Sequence, residues 1–120
     1  MTGTSDFEAT LSAQSAGVQA MAAAVRAFAK DQDVPLETAV KWGQPSLAPP
    51  KRSGTPVRIG EVAGNTVLFV HCGSPVIARF LEIAPTAKVE GNRAFIPDGP
   101  DDPALPLFLD IAFFYRVAGK

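Results

Sequence analysis

Two dipeptides, Gly64-Asn65 and Gly91-Asn92, constrain the fold of this chain more than any other feature in it. Each lies between two runs of strand-forming residues. The first would join residues 56–63 to 66–72, and the second 87–90 to 93–97. Glycine at the first central position suits a type II′ turn, because only glycine takes that positive φ cheaply. A two-residue turn makes its strands antiparallel neighbours and fixes their register. In the first hairpin Val62 then faces Val67, Gly60 faces Phe69 and Arg58 faces His71. On the opposite face Ile59 meets Val70 and Val57 meets Cys72. In the second, Glu90 faces Arg93 and Val89 faces Ala94.

Helical signals surround the hairpins. Ser5 to Glu8 reads S-x-x-E, a capping box. Phe7, Leu11, Val18, Met21, Val25 and Phe28 recur at helical intervals and form one apolar stripe. Gly17 and the polar stretch 12–15 divide this segment into two helices, and the alanines of 20–29 make the second strongly helical. Pro35 suits the first position of a short helix running to about Lys41, stopped by Gly43 with Pro45 just beyond. Residues 46–49 read as a short strand ended by Pro49-Pro50, and 51–54 as a turn. Ser74-Pro75 opens a helix to about Ile83, ahead of Pro85. Asp102 caps a last helix from Pro103, with Leu105, Phe108, Leu109, Ala112 and Phe113 as its apolar face.

A chain of 120 residues is the size of one domain, 1–120, and buries roughly two-thirds of its unfolded surface. With 47% hydrophobic and 19% charged residues it can fold around a core. Hairpins and segregated helices together give an α+β fold. A single antiparallel sheet of four to five strands is flanked by N-terminal, central and C-terminal helices.

The charge balance narrows the partners. There are 11 basic and 12 acidic residues, net −1, and no basic run, which argues against nucleic acid and against an anionic membrane surface. The longest apolar run, 104–115, is interrupted by Pro106 and Asp110 and falls short of the roughly 20 residues of a membrane span. The single cysteine forms no internal disulfide, and the first ten residues show neither the basic nor the apolar region of a signal peptide. These features predict a cytoplasmic protein, with homo-oligomerisation left open. One His and one Cys leave no structural zinc site. G-x-S-x-G, a phosphate-binding glycine loop, H-E-x-x-H and paired C-x-x-C are all absent, and no cofactor is implied.

Four motifs occur in order: Lys41-Trp42-Gly43-Gln44-Pro45-Ser46, Gly54-Thr55-Pro56-Val57-Arg58-Ile59-Gly60, Phe69-Val70-His71-Cys72 and Glu90-Gly91-Asn92-Arg93-Ala94. Over residues 34–116 the chain resembles the YdhG-like family of domains of unknown function. The resemblance implies a compact domain with an antiparallel sheet and flanking helices, and no established reaction. Some family members carry an iron-chaperone label by comparison with frataxin. The chain departs from the pattern at Leu47, where the family often has an aromatic residue.

The residues support several chemistries. Arg58 and His71, side by side with Phe69, would bind an anion such as a carboxylate or phosphate; alternatively Arg58 pairs with a helix carboxylate on a solvated face. Trp42 either walls a pocket, with Gln44 orienting a ligand, or plugs the core. Arg93 and Glu90 pair across their turn. Cys72, adjacent to His71 but on the other strand face, is expected to be buried beside Leu68 and Val70 rather than to form a dyad. Asp98, Asp101 and Asp102, and likewise Asp31, Asp33 and Glu37, could ligate a hard cation but fit solvated loops better. The expectation is a non-enzymatic module for a small anionic or polar ligand, or a protein partner, with a site at Trp42, Gln44, Arg58, His71 and Arg93. The alternatives are a frataxin-like iron carrier and an enzyme using Arg58 and His71.

Overall fold

The structure is a computed structural model; it describes residues 2–117, with side chains from residue 6 onward. Its elements are α1 (Thr2–Ser12), α2 (Ala16–Asp31), β1 (Glu37–Lys41), β2 (Gln44–Ala48), β3 (Val57–Val62), β4 (Asn65–Phe69), α3 (Val76–Ile83), β5 (Val89–Glu90), β6 (Ala94–Phe95) and α4 (Ala104–Phe114). The strands form one antiparallel sheet in the order β1-β2-β3-β4-β6-β5. The α+β class holds, with six strands instead of four or five.

The additional strand comes from the segment expected to be helical, and the strand expected at 46–49 begins two residues earlier, at Gln44. Residues 37–41 form β1, which pairs with β2 through a two-residue turn at Trp42-Gly43. Both turn residues have positive φ, 55° and 72°, the signature of a type I′ hairpin. Proline at 35 and glycine at 43 therefore bracket a strand. Thr38 and Val40, both β-branched, suit it better than a helix.

The β3–β4 turn is also two residues long but lies one position earlier than expected, at Ala63-Gly64, with φ of 52° and 83°. Val62 then pairs with Asn65, Gly60 with Val67, Ile59 with Leu68 and Arg58 with Phe69. The shift moves each partner on the second strand by two residues, so every side chain keeps its face. The β5–β6 loop holds three residues, 91–93, and Glu90 pairs with Ala94 and Val89 with Phe95. Arg93 is therefore in the loop and does not face Glu90.

The helices cover one face of the sheet. α1 packs on β1 and β2, α2 on β3 and β4, and α4 against α2 and α3. The expected stripe is buried at Phe7, Val18, Met21 and Val25 and meets Leu47, Val57, Ile59 and Leu68 from the sheet. Phe80 (α3), Phe95 (β6) and Phe108 (α4) form a ring cluster with centroids 4.7 to 5.2 Å apart, each contact adding about 0.5–1.5 kcal/mol beyond its buried area. Leu105, Leu109, Ala112 and Phe113 of α4 are buried as its periodicity predicts.

Caps follow the sequence in part. The backbone is helical from Thr2, so Ser5 lies within α1; its side chain lies outside the described residues. Ser15 caps α2 by accepting from the Val18 N–H at 3.3 Å. Asp102 Oδ1 accepts from the Ala104 N–H at the start of α4, and its Oδ2 accepts from the Asp98 N–H, both at 2.9 Å. Before α3, the Ser74 hydroxyl donates to the His71 carbonyl at 2.7 Å and does not cap the helix. No described helix is long and apolar enough to cross a membrane.

Candidate functional site

On the face of the sheet away from the helices, the pairing registers set Ala39, Ser46, Arg58, Phe69 and Ala94 in one row across five strands. Through Ala94 the row ends at Glu90 on the edge strand β5, which does not line the cavity described below, so Arg58 and Phe69 are the large side chains of its central strands. The guanidinium carbon of Arg58 lies 4.7 Å from the centroid of the Phe69 ring, a cation–π contact between directly opposed residues.

A cavity of about 1050 Å³ opens over this part of the row. Ser46, Arg58 and Phe69 line it from the sheet, residues 54–56 from the β2–β3 connection, residues 70–74 from the β4–α3 connection, and Tyr115 and Arg116 from the end of α4. All four motifs quoted above contribute residues to it.

Its walls are tied together by hydrogen bonds. The Val70 N–H donates to the Arg93 carbonyl at 2.8 Å, and Asn92 Nδ2 donates to the Cys72 carbonyl at 2.8 Å, joining the β5–β6 loop to the β4–α3 loop. The Gly73 N–H donates to His71 Nδ1 at 2.9 Å. A neutral imidazole accepting at Nδ1 carries its proton on Nε2, which leaves that N–H as a donor. Glycine at 73 is required for this arrangement, since a Cβ there would stand 2.8 Å from His71 Cε1. On the opposite wall the Thr55 N–H donates to the Ala112 carbonyl and the Arg116 N–H to the Ser53 carbonyl, docking the β2–β3 connection on α4.

The electrostatics are one-sided. Lys41, Lys51, Arg58, Arg93 and Arg116 line the cavity, five of the chain's 11 basic residues, and none of its 12 acidic residues does. The ion pairs of the described residues, Arg26–Glu8 at 2.8 Å and Lys88–Asp98 at 3.9 Å, lie elsewhere. Arg58 therefore has no helix carboxylate, and its buried Nε–H has no hydrogen-bond acceptor. Burial, and then the positive charge of Arg93, lower the Arg58 pKa from its ordinary value. A smaller neighbouring hollow of about 710 Å³ shares Lys41, Ser46 and Lys51 and includes Glu37.

Of the five candidate residues, Trp42, Arg58, His71 and Arg93 line the larger cavity. Gln44 does not: its side chain lies over Gly60, where an added Cβ would overlap its amide. Trp42 is no core plug, being 86% exposed at its hairpin tip. Cys72 is exposed, because β4 ends at Phe69 and the chain turns away before the thiol can enter the core. His71 and Arg58 both line the cavity, but Arg58 pairs with Phe69 and His71 lies two residues further on, so they are not a directly opposed pair. Lys51, Tyr115 and Arg116 also line the cavity, and as isolated residues in a turn and at a helix end they carry no sequence pattern that marks them. Among the described residues, no group of three or more His, Cys, Asp or Glu side chains is placed to hold a metal ion.

No family model, curated protein or solved structure matches this chain.

Proposed function

We propose that this domain is a binding module for a small anion, held in the cavity that Arg58 and Arg93 line. The observation that carries the reading is the absence of a carboxylate from a cavity lined by five cationic side chains, in a protein whose total charge is close to neutral. Like charges gathered without counterions repel one another, and an arriving anion relieves that repulsion. Guanidinium groups also match the geometry of carboxylate and phosphate oxygens.

Binding is favoured over catalysis by where the polar groups are directed. His71 Nδ1 is engaged by Gly73, and the Ser74 hydroxyl by the His71 carbonyl, so neither forms a nucleophile–base pair. Membership of the YdhG-like family is part of the same proposal, supported by the convergence of its four motifs on one cavity.

Calorimetric titration with inorganic phosphate at low ionic strength tests the proposal. We expect saturable binding that is lost in Arg58→Met and Arg93→Gln and kept in Lys88→Gln, a basic residue outside the cavity. Failure to bind, or equal loss in all three variants, would refute a defined anion site.

A further inference from the structure

Trp42 is poorly explained by the fold that holds it. It is the most exposed of the large hydrophobic residues described, at 86%, so it contributes little burial. It also takes φ 55° at the first position of its turn, where Gly, Asn or Asp would sit at less cost. Both terms oppose an indole at this position, and strained, exposed residues are characteristic of functional sites. Trp42 lines the cationic cavity, together with Phe69 and Tyr115. Arg58 lies over the Phe69 ring, and Arg116 over the Tyr115 ring at 5.3 Å. Trp42 has no such partner among the described residues.

We propose that the ligand is a ring-bearing phosphomonoester, its phosphate held among Arg58, Arg93 and His71 and its planar ring laid against Trp42. This rests on the anion-site reading above and names the ligand class.

Charge selects phosphate over a monocarboxylate. A carboxylate offsets one positive charge, whereas a phosphomonoester carries close to two at neutral pH and offers three strong acceptor oxygens. Those oxygens match two guanidinium groups and the Nε2–H of His71, whose tautomer the Gly73 N–H sets. A guanidinium with one face on a ring keeps its edge free for bidentate bonding. An open indole beside that charge gives a planar group a surface to stack on. The basic residues are gathered in one cavity and not strung along a stripe, which fits a small phosphate and not a nucleic-acid strand.

The test compares inorganic phosphate, phenyl phosphate and benzoate, titrated calorimetrically into the full chain at low salt. Trp42 is the chain's single tryptophan, so its fluorescence reports on the site directly. Phenyl phosphate is expected to bind about tenfold more tightly than inorganic phosphate, a difference of about 1.4 kcal/mol, and to change the indole emission. Inorganic phosphate alone should leave the emission unchanged, and in excess should displace phenyl phosphate and reverse its effect. Trp42→Gly, which relieves a positive φ at an exposed turn, should stay folded, keep the affinity for inorganic phosphate and lose the tenfold gain. Adenosine monophosphate, run in parallel, tells a nucleotide from a single-ring phosphate, and a gain by either over inorganic phosphate supports the proposal. Equal binding of phenyl phosphate, adenosine monophosphate and inorganic phosphate with unchanged emission would overturn the ring assignment and leave the anion site standing. Benzoate binding as tightly as phenyl phosphate would overturn the choice of phosphate. Binding of none of these anions would overturn the anion site, and this inference with it.

Discussion

Replacing Arg58 with methionine should stabilise the protein while abolishing anion binding. The side chain runs between Ser46 and Phe69 on the outer row of the sheet, and methionine keeps most of its length and its apolar stem. The substitution removes a cation–π contact with Phe69 that contributes about 0.5–1 kcal/mol at a partly exposed site. A thioether against the same ring returns about 0.3–1.5 kcal/mol. What remains is the buried Nε–H with no acceptor, a group whose desolvation costs about 1–3 kcal/mol. Repulsion from Arg93 disappears as well. The balance is a gain of about 1 kcal/mol, or about 4 °C in Tm for a domain of this size.

The gain should not vary with pH across the neutral range. Burial and Arg93 lower the Arg58 pKa, so in the relevant interval the unfolded chain binds the proton more tightly than the folded one. That would make stability rise with pH only where the folded guanidinium loses its proton. An arginine keeps its proton from about pH 5 to pH 9 in both states, so there the penalty is constant. Differential scanning calorimetry of both proteins in phosphate-free buffer, with parallel phosphate titrations, reads both effects. A variant that melts lower than the parent would show that Arg58 is a net structural contributor, and the argument for an uncompensated cation would fail.

Further substitutions separate backbone contacts from side-chain ones. Gly54→Ala would drive a Cβ into the Ala112 carbonyl and the Phe113 backbone, which cannot move away, and should cost about 3 kcal/mol or more in denaturant unfolding. Gly60→Ala meets only the end of the Gln44 side chain and should cost about 1 kcal/mol; equal losses would show that the Gln44 amide is held as firmly as the helix backbone. Ala63→Asn places a residue tolerant of φ 52° in the β3–β4 turn and should raise stability by about 0.5–1 kcal/mol, whereas a turn at Gly64-Asn65 would gain nothing. The native protein should expose one thiol to a disulfide reagent without denaturant, since Cys72 is exposed; protection until unfolding would return it to the core.

The sequence makes the antiparallel character of the sheet and the packing of α2, α3 and α4 legible, because both rest on periodicity that burial enforces. It misleads at 35–45, where proline and glycine mark the ends of a helix as readily as those of a strand. Only pairing with β2 decides between them, and pairing is a tertiary fact. The β3–β4 turn lies one residue early, with Ala63 and Gly64 taking the two positive φ values of a type I′ turn although alanine is poorly suited to one, and the residue pattern alone does not show this. Parity saved the site from this error: a shift of two in the partner leaves Arg58 on the same face as Phe69. Cys72 fails for a different reason. Strand alternation holds only to Phe69, where β4 ends, so it does not place residue 72. The cationic surroundings of Arg58 were invisible, because Lys51 and Arg116 reach the cavity only after α4 docks on the β2–β3 connection.

The row across the outer face indicates why a cavity exists there at all. A sheet face meant to carry another layer would present large apolar side chains, as Leu47, Val57, Ile59 and Leu68 do on the helix side. The outer row instead has alanine at 39, serine at 46 and alanine at 94, with glycine at 60 on the next row. Small residues on either side of Arg58 and Phe69 keep the floor low, and the connections at 50–56 and 70–74 rise around it. Among the described residues nothing closes this trough, and Arg58 on its floor meets no carboxylate. A face built for stability alone would fill the depression or neutralise the charge. Doing neither leaves both the space and the charge available to a ligand.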